Sequence, residues 1–341
     1  MRILLTADPE IAVPPRGYGG IQRIVDALVR EYRAQGHTVG LAARAGSESP
    51  ADAVFGWPGN SSLSKLDTLR NTLALRRAAR DFRPDLLHSF SRLAYLAPLL
   101  PTRLPKIMSY QRHTGGRQVA LAARLGGRSL RFTGCSEFIS AMGRKAGGDW
   151  RTIFNFIEPD KLDFVPSVPP DAPLVFLSRV ESIKGADLAI AVARAAGRRL
   201  IIAGNHADTG PERDYWDREI APHLGTAGIE YAGEVDDVRK NALLGRAAAM
   251  IVPIQWDEPF GIVFTEALAA GTPVITCARG ALPEIVEEGR TGFFMGTVAE
   301  GAAAVGRLAD IDRAECRRAA LGRLSLAACA AQYVALYREM T

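Results

Sequence analysis

The sequence predicts an α/β protein of two doubly wound domains, each a parallel sheet with helices packed on its faces. Strand-like apolar runs alternate with helical patterns along the chain, which is the order that a parallel sheet requires. One proline-rich segment interrupts this alternation near the middle. The length of 341 residues, at roughly 150 residues per domain, also indicates two domains.

The first half opens with a βαβ unit. Residues 2–7 (RILLTA) predict a strand, residues 20–34 place apolar side chains at helical spacing, and residues 37–44 (HTVGLAAR) predict the next strand. Further strands are predicted at residues 85–90, 106–110 and 131–136, with helices at residues 66–82 and 137–146.

Residues 158–173 contain five prolines and no sustained periodicity, a composition typical of an interdomain connection. After it, strands are predicted in the runs LVFLSRV, RLIIAG, IEYAGEV, AAMIVPI and PVITC. We therefore predict a first domain at residues 1–158, a crossing at 159–173, a second domain at 174–324, and a terminal helix at 325–341 that packs back on the first domain. Ligands of doubly wound sheets bind beyond the carboxyl ends of the strands, so we expect a cleft between the two domains.

Charge is unevenly distributed along the chain. Residues 1–170 carry 24 Lys and Arg against 14 Asp and Glu, whereas the remainder carries 18 against 23. A basic first half fits an anionic partner such as lipid headgroups or a phosphorylated acceptor, although an Arg-rich genome would produce the same excess. The arginines are scattered and lack the aromatic interleaving of a single-strand nucleic-acid groove, so we expect no nucleic-acid partner.

The cysteines indicate a reducing compartment. Cys135, Cys277, Cys316 and Cys329 have neither CxxC nor Cys/His metal spacing, which favours free thiols. The first residues do not resemble a signal peptide, and no apolar run approaches the ~20 residues of a spanning helix. We expect a cytoplasmic protein, with peripheral contact at the inner face of the membrane compatible with its basic first half.

The densest functional signal lies in residues 258–275 (EPFGIVFTEALAAGTPVI), where a Pro-Phe-Gly turn precedes strong helix formers. A helix that begins near Gly261 presents free amides and a positive dipole end, which suit a phosphate. Glu258 lies beside this turn, and Glu266 lies just inside the helix, where its carboxylate can accept two hydrogen bonds from adjacent hydroxyls. Two surface glutamates near a helix start are the simpler interpretation of the same pattern.

Two other segments carry weaker signals. In SRVESIKGAD, Arg179 and Lys184 flank a turn at a strand's carboxyl end, where two cations suit a diphosphate. In PPRGYGGIQ, glycines that include Gly19 and Gly20 let the backbone approach a ligand. This cluster does not complete the GxGxxG fingerprint, which argues against a dinucleotide dehydrogenase.

Together these segments resemble the retaining glycosyltransferases of family 4, which have the GT-B architecture of two facing Rossmann-like domains. The resemblance extends over nearly the whole chain. The segments that carry it are YGGIQ, RTIFNFIEPDKLDFVP, SRVESIKG, YAGEV, the Glu-x7-Glu motif and GALPEIVEEGRTGFF.

The resemblance implies that the first domain binds the acceptor and the second binds a nucleotide-sugar donor. In that scheme Arg179 and Lys184 bind the donor diphosphate, and Glu266 holds the ribose hydroxyls. Glu258 faces the donor sugar and its phosphates. The remaining implied donor contacts are the backbone of Phe260, Gly261 and Ile262, together with Gly19, Gly20 and Gly280.

One departure from the family pattern concerns a histidine that usually follows the strand read here as KIMSY and orients the donor sugar. Gln111 falls nearest that place, whereas His113 fills it if the loop is shifted by two residues. Arg112 is a third alternative, and His88, after the strand at residues 85–90, is a further candidate beside the cleft.

The implied reaction moves a sugar, with retention, to a hydroxyl of a glycan, glycolipid or small-molecule natural product. We expect no cofactor beyond the donor and no metal, because Asp310-Ile311-Asp312 has Asp-x-Asp spacing but lies between two helical patterns. Two alternatives remain open at this point: a non-hydrolysing nucleotide-sugar epimerase, and an inactive nucleotide-sugar-binding protein.

Overall fold

The computed structural model describes residues 1–17 and 19–341. The chain divides into two compact units. The first unit comprises residues 1–156 and 326–341, and the second comprises residues 157–325.

The first unit is built on a parallel sheet whose strand order is β3-β2-β1-β4-β5-β6-β7. Its strands are β1 (Arg2–Thr6), β2 (Thr38–Arg44), β3 (Ala53–Trp57), β4 (Leu86–Ser89), β5 (Lys106–Tyr110), β6 (Leu130–Gly134) and β7 (Trp150–Thr152). The order reverses beside β1, because β2 lies on one side of β1 and β4 lies on the other.

Helices cover both faces of this sheet. They are α1 (Gly20–Ala34), α2 (Lys65–Phe82), α3 (Gly116–Gly126), α4 (Glu137–Arg144) and, at the end of the chain, α12 (Leu326–Met340). Right-handed crossovers place α1 on one face and α2, α3 and α4 on the other. The terminal helix α12 packs against α1, with Tyr337 and Tyr32 in edge-to-face contact at 5.6 Å between ring centroids.

The second unit repeats the architecture with the strand order β10-β9-β8-β11-β12-β13, again parallel. Its strands are β8 (Leu174–Leu177), β9 (Leu200–Ala203), β10 (Ile229–Gly233), β11 (Ala249–Val252), β12 (Val274–Thr276) and β13 (Gly292–Phe294). Its helices are α5 (Ala186–Ala195), α6 (Pro211–Tyr215), α7 (Asp237–Arg246), α8 (Ile262–Ala269), α9 (Leu282–Ile285), α10 (Val298–Gly306) and α11 (Arg313–Leu324). The order reverses between β8 and β11.

The structure confirms the predicted fold class of two parallel α/β sheets. It adds the strands β3, β7 and β13, which lie at sheet edges and which the apolar runs did not reveal. The predicted terminal helix corresponds to α12, and Ser325 separates it from α11.

The proline-rich segment that the sequence analysis treated as a connection belongs to the second unit. The Val165 amide donates to the Ala270 carbonyl at 3.2 Å, and Arg313 Nε donates to the Val165 carbonyl at 2.7 Å. These bonds hold the segment against α8 and α11. Across residues 1–17 and 19–341, none of the helices combines the length and apolar character that a membrane crossing needs.

Candidate active site

The loop after β8 folds back toward the end of β11. Arg179 is partly exposed and forms an ion pair with Glu181 two residues later. Gly185 closes the loop with a φ of +73°, and a Cβ atom there would lie 2.2 Å from the Pro253 carbonyl oxygen. Only glycine fits this close approach, because it has no Cβ atom. Gly185 therefore allows the loop after β8 to contact the loop after β11.

Lys184 and Glu258, predicted from separate segments, form one cluster. Lys184 Nζ lies 2.7 Å from Glu258 Oε2, and the two side chains are only 10% and 13% exposed. Trp256 Nε1 donates to the same carboxylate oxygen at 3.1 Å, and its ring lies 4.9 Å from the lysine nitrogen. Trp256 was missed by the sequence analysis, because nothing in its immediate neighbours distinguishes it from a core aromatic residue.

The turn before α8 has the conformation that the sequence predicted. Gly261 caps the helix with a φ of +86°, where a Cβ atom would lie 2.5 Å from the Phe264 ring. The helix begins at Ile262, and Phe260 anchors the turn with a side chain that is 2% exposed. The first amides of a helix have no partner within it and carry its positive dipole end, so this turn suits an anion.

Glu266 lies one turn into α8 and is paired with a lysine from α7. Lys240 Nζ lies 2.5 Å from Glu266 Oε1 and 3.1 Å from Asp237 Oδ1. Burial lowers the pKa of Lys240, but the two carboxylates beside it outweigh burial and raise the pKa above its usual range. The lysine therefore stays protonated and orients the Glu266 carboxylate. Lys240 was missed because it lies 26 residues from Glu266 in the sequence.

Gly280, after β12, completes the cluster. Its φ is +57°, and a Cβ atom there would lie 2.3 Å from the Glu258 carbonyl oxygen. The amide of Ala281 donates to that same carbonyl at 2.9 Å. The loops after β11 and β12 are thus packed backbone against backbone at Glu258, and the loop after β8 reaches Glu258 through the Lys184 side chain.

These predicted residues of the second unit converge at the point where its strand order reverses. Arg179 and Lys184 follow β8, Glu258 to Ile262 follow β11, and Gly280 follows β12. Because the carboxyl ends of β8 and β11 lie side by side with their connections leaving in opposite directions, this edge is the expected ligand crevice of a doubly wound sheet.

Gly19, Gly20 and His113 belong to the first unit. Gly19 precedes α1 with a φ of +154°, and a Cβ atom there would lie 2.8 Å from Pro15 Cβ, so the loop requires glycine. Gly20 is the first residue of α1. Tyr18 of the same predicted motif lies outside the described residues.

The three candidates for the family histidine differ in their surroundings. His113 is exposed, and its ring lies 5.7 Å from the Phe138 ring. Arg112 forms an ion pair with Asp8. Among the described residues, Gln111 Nε2 is buried and has no hydrogen-bond partner. Gln111 thus has an unused hydrogen-bond donor just after β5, at the position where the sequence analysis expected the family histidine.

Asp8, which the sequence analysis did not single out, follows β1 on the same edge of the first sheet. Its side chain is 8% exposed, and within the described part of the chain its Oδ1 atom has no hydrogen-bond partner. Burial raises the pKa of Asp8, while Arg112 opposes that shift.

His88 is not a site residue, and the suggestion that it lies beside a cleft is wrong. Its ring is fully buried. Nδ1 lies 2.5 Å from the Tyr337 hydroxyl, and Nε2 lies 2.6 Å from Ser109 Oγ. Burial lowers the pKa of His88 to about 3. The residue is a neutral link between the first sheet and α12.

The Asp-x-Asp spacing at Asp310 and Asp312 has a structural explanation. Asp312 caps α11 by accepting a hydrogen bond from the Ala314 amide at 2.8 Å. Asp310 pairs with Arg307 at 3.4 Å. The two residues form a junction between helices.

Two doubly wound parallel sheets with these strand orders make up the GT-B fold of glycosyltransferases. Solved structures agree. AviGT4, a glycosyltransferase involved in avilamycin A biosynthesis, is 27% identical with a TM-score of 0.74, covering 99% of this chain and 97% of its own. Anabaena HepE in complex with UDP-glucose matches in fold with a TM-score of 0.75 at 18% identity, covering 99% of this chain and 100% of its own.

Family models identify the chain more closely. Residues 18–161 match the model described as Glycosyltransferase Family 4, and residues 162–320 match the model described as Glycosyl transferases group 1. The chain belongs to glycosyltransferase family 4. A curated relative, the glycogen synthase of Mycobacterium tuberculosis, is 35% identical over 183 residues, which are 51% of this chain and 43% of the relative. The chain thus matches less than half the length of this relative.

Proposed function

We propose that the protein transfers a sugar from a nucleotide-diphosphate sugar to an acceptor hydroxyl, with retention of configuration at the anomeric carbon. One observation carries this proposal: Lys184, Glu258 and the start of α8 meet at the reversal point of the second sheet, with Arg179 in the same loop as Lys184. A diphosphate needs cations and free amides together, and this edge offers both.

The carboxylate of Glu266 supports the assignment of a nucleoside. Lys240 holds it by one oxygen, so its other oxygen is available for two adjacent hydroxyls such as those of a ribose. The fold neighbour solved with UDP-glucose makes UDP the first nucleotide to test. The curated relative is a glycogen synthase, and AviGT4 is involved in avilamycin A biosynthesis. These two proteins support a carbohydrate or natural-product hydroxyl as the acceptor.

In the proposed reaction the bond between the anomeric carbon and the β-phosphate oxygen breaks, and the electron pair stays on that oxygen. Arg179, Lys184 and the α8 amides stabilise the negative charge that develops on the departing diphosphate. The acceptor oxygen bonds to the anomeric carbon on the same face, and its proton passes to the departing phosphate oxygen. No side chain is assigned as a covalent nucleophile.

We also propose that the transfer needs no metal ion, because Arg179 and Lys184 supply the positive charge that a metal ion would otherwise provide. The test is release of UDP from UDP-glucose in EDTA, with glycogen or a panel of soluble sugars as acceptor. We expect acceptor-dependent turnover in EDTA. Loss of turnover in EDTA that Mg²⁺ or Mn²⁺ restores would contradict metal independence.

The same assay separates the alternatives. Donor alone should give no epimeric nucleotide-sugar, whereas an epimerase would produce one without an acceptor. Nucleotide-sugar binding without any transfer across acceptors and donors would mean that the protein binds but does not catalyse.

A further inference from the structure

The outer surface of α2 carries a stripe of exposed leucines. Leu66, Leu69 and Leu73 are 56%, 56% and 45% exposed, and Leu63, just before the helix, is 85% exposed. Spacings of three and four residues place the helical leucines on one face. The opposite face, which includes Leu75 and is buried, packs α2 on the sheet, whereas about half of each outer leucine stays exposed.

A second pair of leucines lies on α3. Leu121 and Leu125 are 59% and 49% exposed and lie one turn apart. Both helices contact the 3₁₀ segment Leu93–Leu99 between them, and their inner side chains join one core cluster on one face of the first sheet. The outer leucines of α2 and α3 therefore belong to a single helical layer and point away from the sheet.

This clustering is unusual for the molecule. Of the nine large hydrophobic side chains that are exposed among residues 1–17 and 19–341, six lie on or just before these two helices. Single exposed hydrophobic residues are ordinary, whereas several on the outer side of one helical layer indicate an interaction surface. We refer to the exposed leucines of α2 and α3, with Leu63 and the basic residues described next, as the leucine–arginine surface.

The charges that surround the leucines are almost all positive. The exposed basic residues are Lys65, Arg70, Arg76, Arg77, Arg80, Arg117, Arg124 and Arg128. The acidic residues of the two helices are Asp67 and Asp81, and they pair with Arg70 at 3.7 Å and Arg80 at 2.9 Å. The surface thus combines apolar side chains with a net positive charge.

We propose that the leucine–arginine surface docks on an anionic lipid bilayer. Leucines that enter the boundary between headgroups and acyl chains gain hydrophobic free energy, while arginines beside them contact lipid phosphates. Charge complementarity favours this partner over a protein, because the positive charge extends along both helices without a pattern of alternating sign. The proposal does not depend on the transfer reaction. It assigns part of the excess of basic residues in the first half of the chain to one surface.

The test is flotation of the purified protein with vesicles of phosphatidylcholine alone or mixed with phosphatidylglycerol. We expect binding to the anionic vesicles, little binding to the neutral ones, and release at high salt. The triple variant Leu66→Ser, Leu69→Ser, Leu73→Ser should reduce vesicle affinity by roughly tenfold or more. Arg77→Glu should reduce it by about tenfold at low salt.

Matched controls use exposed residues of α7 in the second unit. Val238, which is 78% exposed, is changed to Ser, and the exposed Arg246 is changed to Glu; both variants should bind vesicles like the wild type. Circular dichroism and thermal melting establish that each variant is folded. Failure of the wild type to float with anionic vesicles would overturn the proposal, and so would equal losses in the α2 and α7 variants.

A different partner would also be detected. If the wild type self-associates in light scattering without lipid, and the triple leucine variant abolishes that association, the surface is an interface between copies of this chain. That result would contradict lipid docking.

Discussion

Two lysine–carboxylate pairs define the candidate site at the residue scale. Lys184 with Glu258, and Lys240 with Glu266, join residues that are 74 and 26 positions apart in the sequence. The sequence identified three of these four residues because each lies in a motif beside a strand or helix end. Lys240 lies in no such motif, and only its ion pair with Glu266, which joins α7 to α8, shows that it orients that carboxylate.

The Lys184 pair yields a prediction that separates binding from stability. Lys184→Met leaves Glu258 largely buried with the Trp256 indole as a remaining donor, and loss of one partner of a buried pair costs up to about 3 to 5 kcal/mol. We expect a lower melting temperature and weaker binding of a nucleoside diphosphate. The measurements are thermal melting and calorimetric titration.

The double variant Lys184→Met, Glu258→Gln is the control. It removes both charges, so we expect it to recover much of the stability while binding of the diphosphate stays weak. If the double variant binds nucleotide like the wild type, Lys184 does not contact the diphosphate.

His88 is a case in which residue type alone misleads. A histidine after a strand in this fold class suggests a site residue, but the structure uses both ring nitrogens inside the core of the first unit. A neutral imidazole donates with one ring nitrogen and accepts with the other, so both hydrogen bonds form without a charge on the ring. The distinction depends on contacts with α12, almost 250 residues away, which no local pattern contains.

The low pKa of His88 predicts a specific pH dependence. Burial holds the folded-state pKa near 3, whereas the unfolded state titrates near 6.5. The contribution of His88 to the free energy of unfolding is therefore fully present above about pH 6.5, and it is lost as the pH decreases toward 3. Between pH 6.5 and 5 the loss is about 2 kcal/mol.

The comparison is thermal melting of the wild type and His88→Gln at pH 7 and pH 5. We expect the variant to be less stable at pH 7 and to lose less stability between the two pH values. Equal losses in both proteins would show that His88 does not titrate on unfolding as described.

At the scale of elements, the loops after β8, β11 and β12 are held together by glycines. Gly280 is the clearest case, because its positive φ and its contact with the Glu258 backbone both exclude a side chain. Gly289 provides a matched control. It has a φ of +72°, but an added Cβ atom there would meet nothing within 4 Å.

Gly280→Ala should therefore lower the free energy of unfolding more than Gly289→Ala does. Both substitutions strain the backbone, by about 1 kcal/mol or more, but only Gly280→Ala also displaces the Glu258 loop. We expect a larger drop in melting temperature and a loss of nucleotide affinity for Gly280→Ala alone. Equal effects of the two variants on nucleotide affinity would argue that the Glu258 loop does not contact the ligand.

The elements themselves were largely predictable. Interior strands such as β8 and β11 are buried along their whole length, so they appear in the sequence as continuous apolar runs. The edge strand β3 alternates between partly buried and exposed residues, while β7 and β13 are only three residues long. Such strands depend on pairing with a neighbour, which a local pattern does not encode.

At the scale of the whole molecule, the sequence predicted two sheets of one architecture, and family membership agrees. The division between units was harder to place. Prolines indicated an interdomain connection at residues 159–173, and arginines of α11 hold this segment against the second unit. Proline content reports the absence of regular structure and does not show whether a segment is packed.

The central claim is that the second unit binds a nucleoside diphosphate at the reversal point of its sheet. Calorimetric titration with UDP, GDP and dTDP in EDTA tests it most directly, with Glu266→Ala and the control Glu315→Ala. The two glutamates are similarly exposed, at 18% and 20%, and each pairs with basic residues of the same unit.

We expect selective binding of one nucleotide by the wild type and by Glu315→Ala, and a loss of about 1.5 to 3 kcal/mol in binding free energy for Glu266→Ala. Equal affinity in all three proteins, or no binding of any of the nucleotides with or without added metal ion, would contradict the assignment of this edge as the donor site.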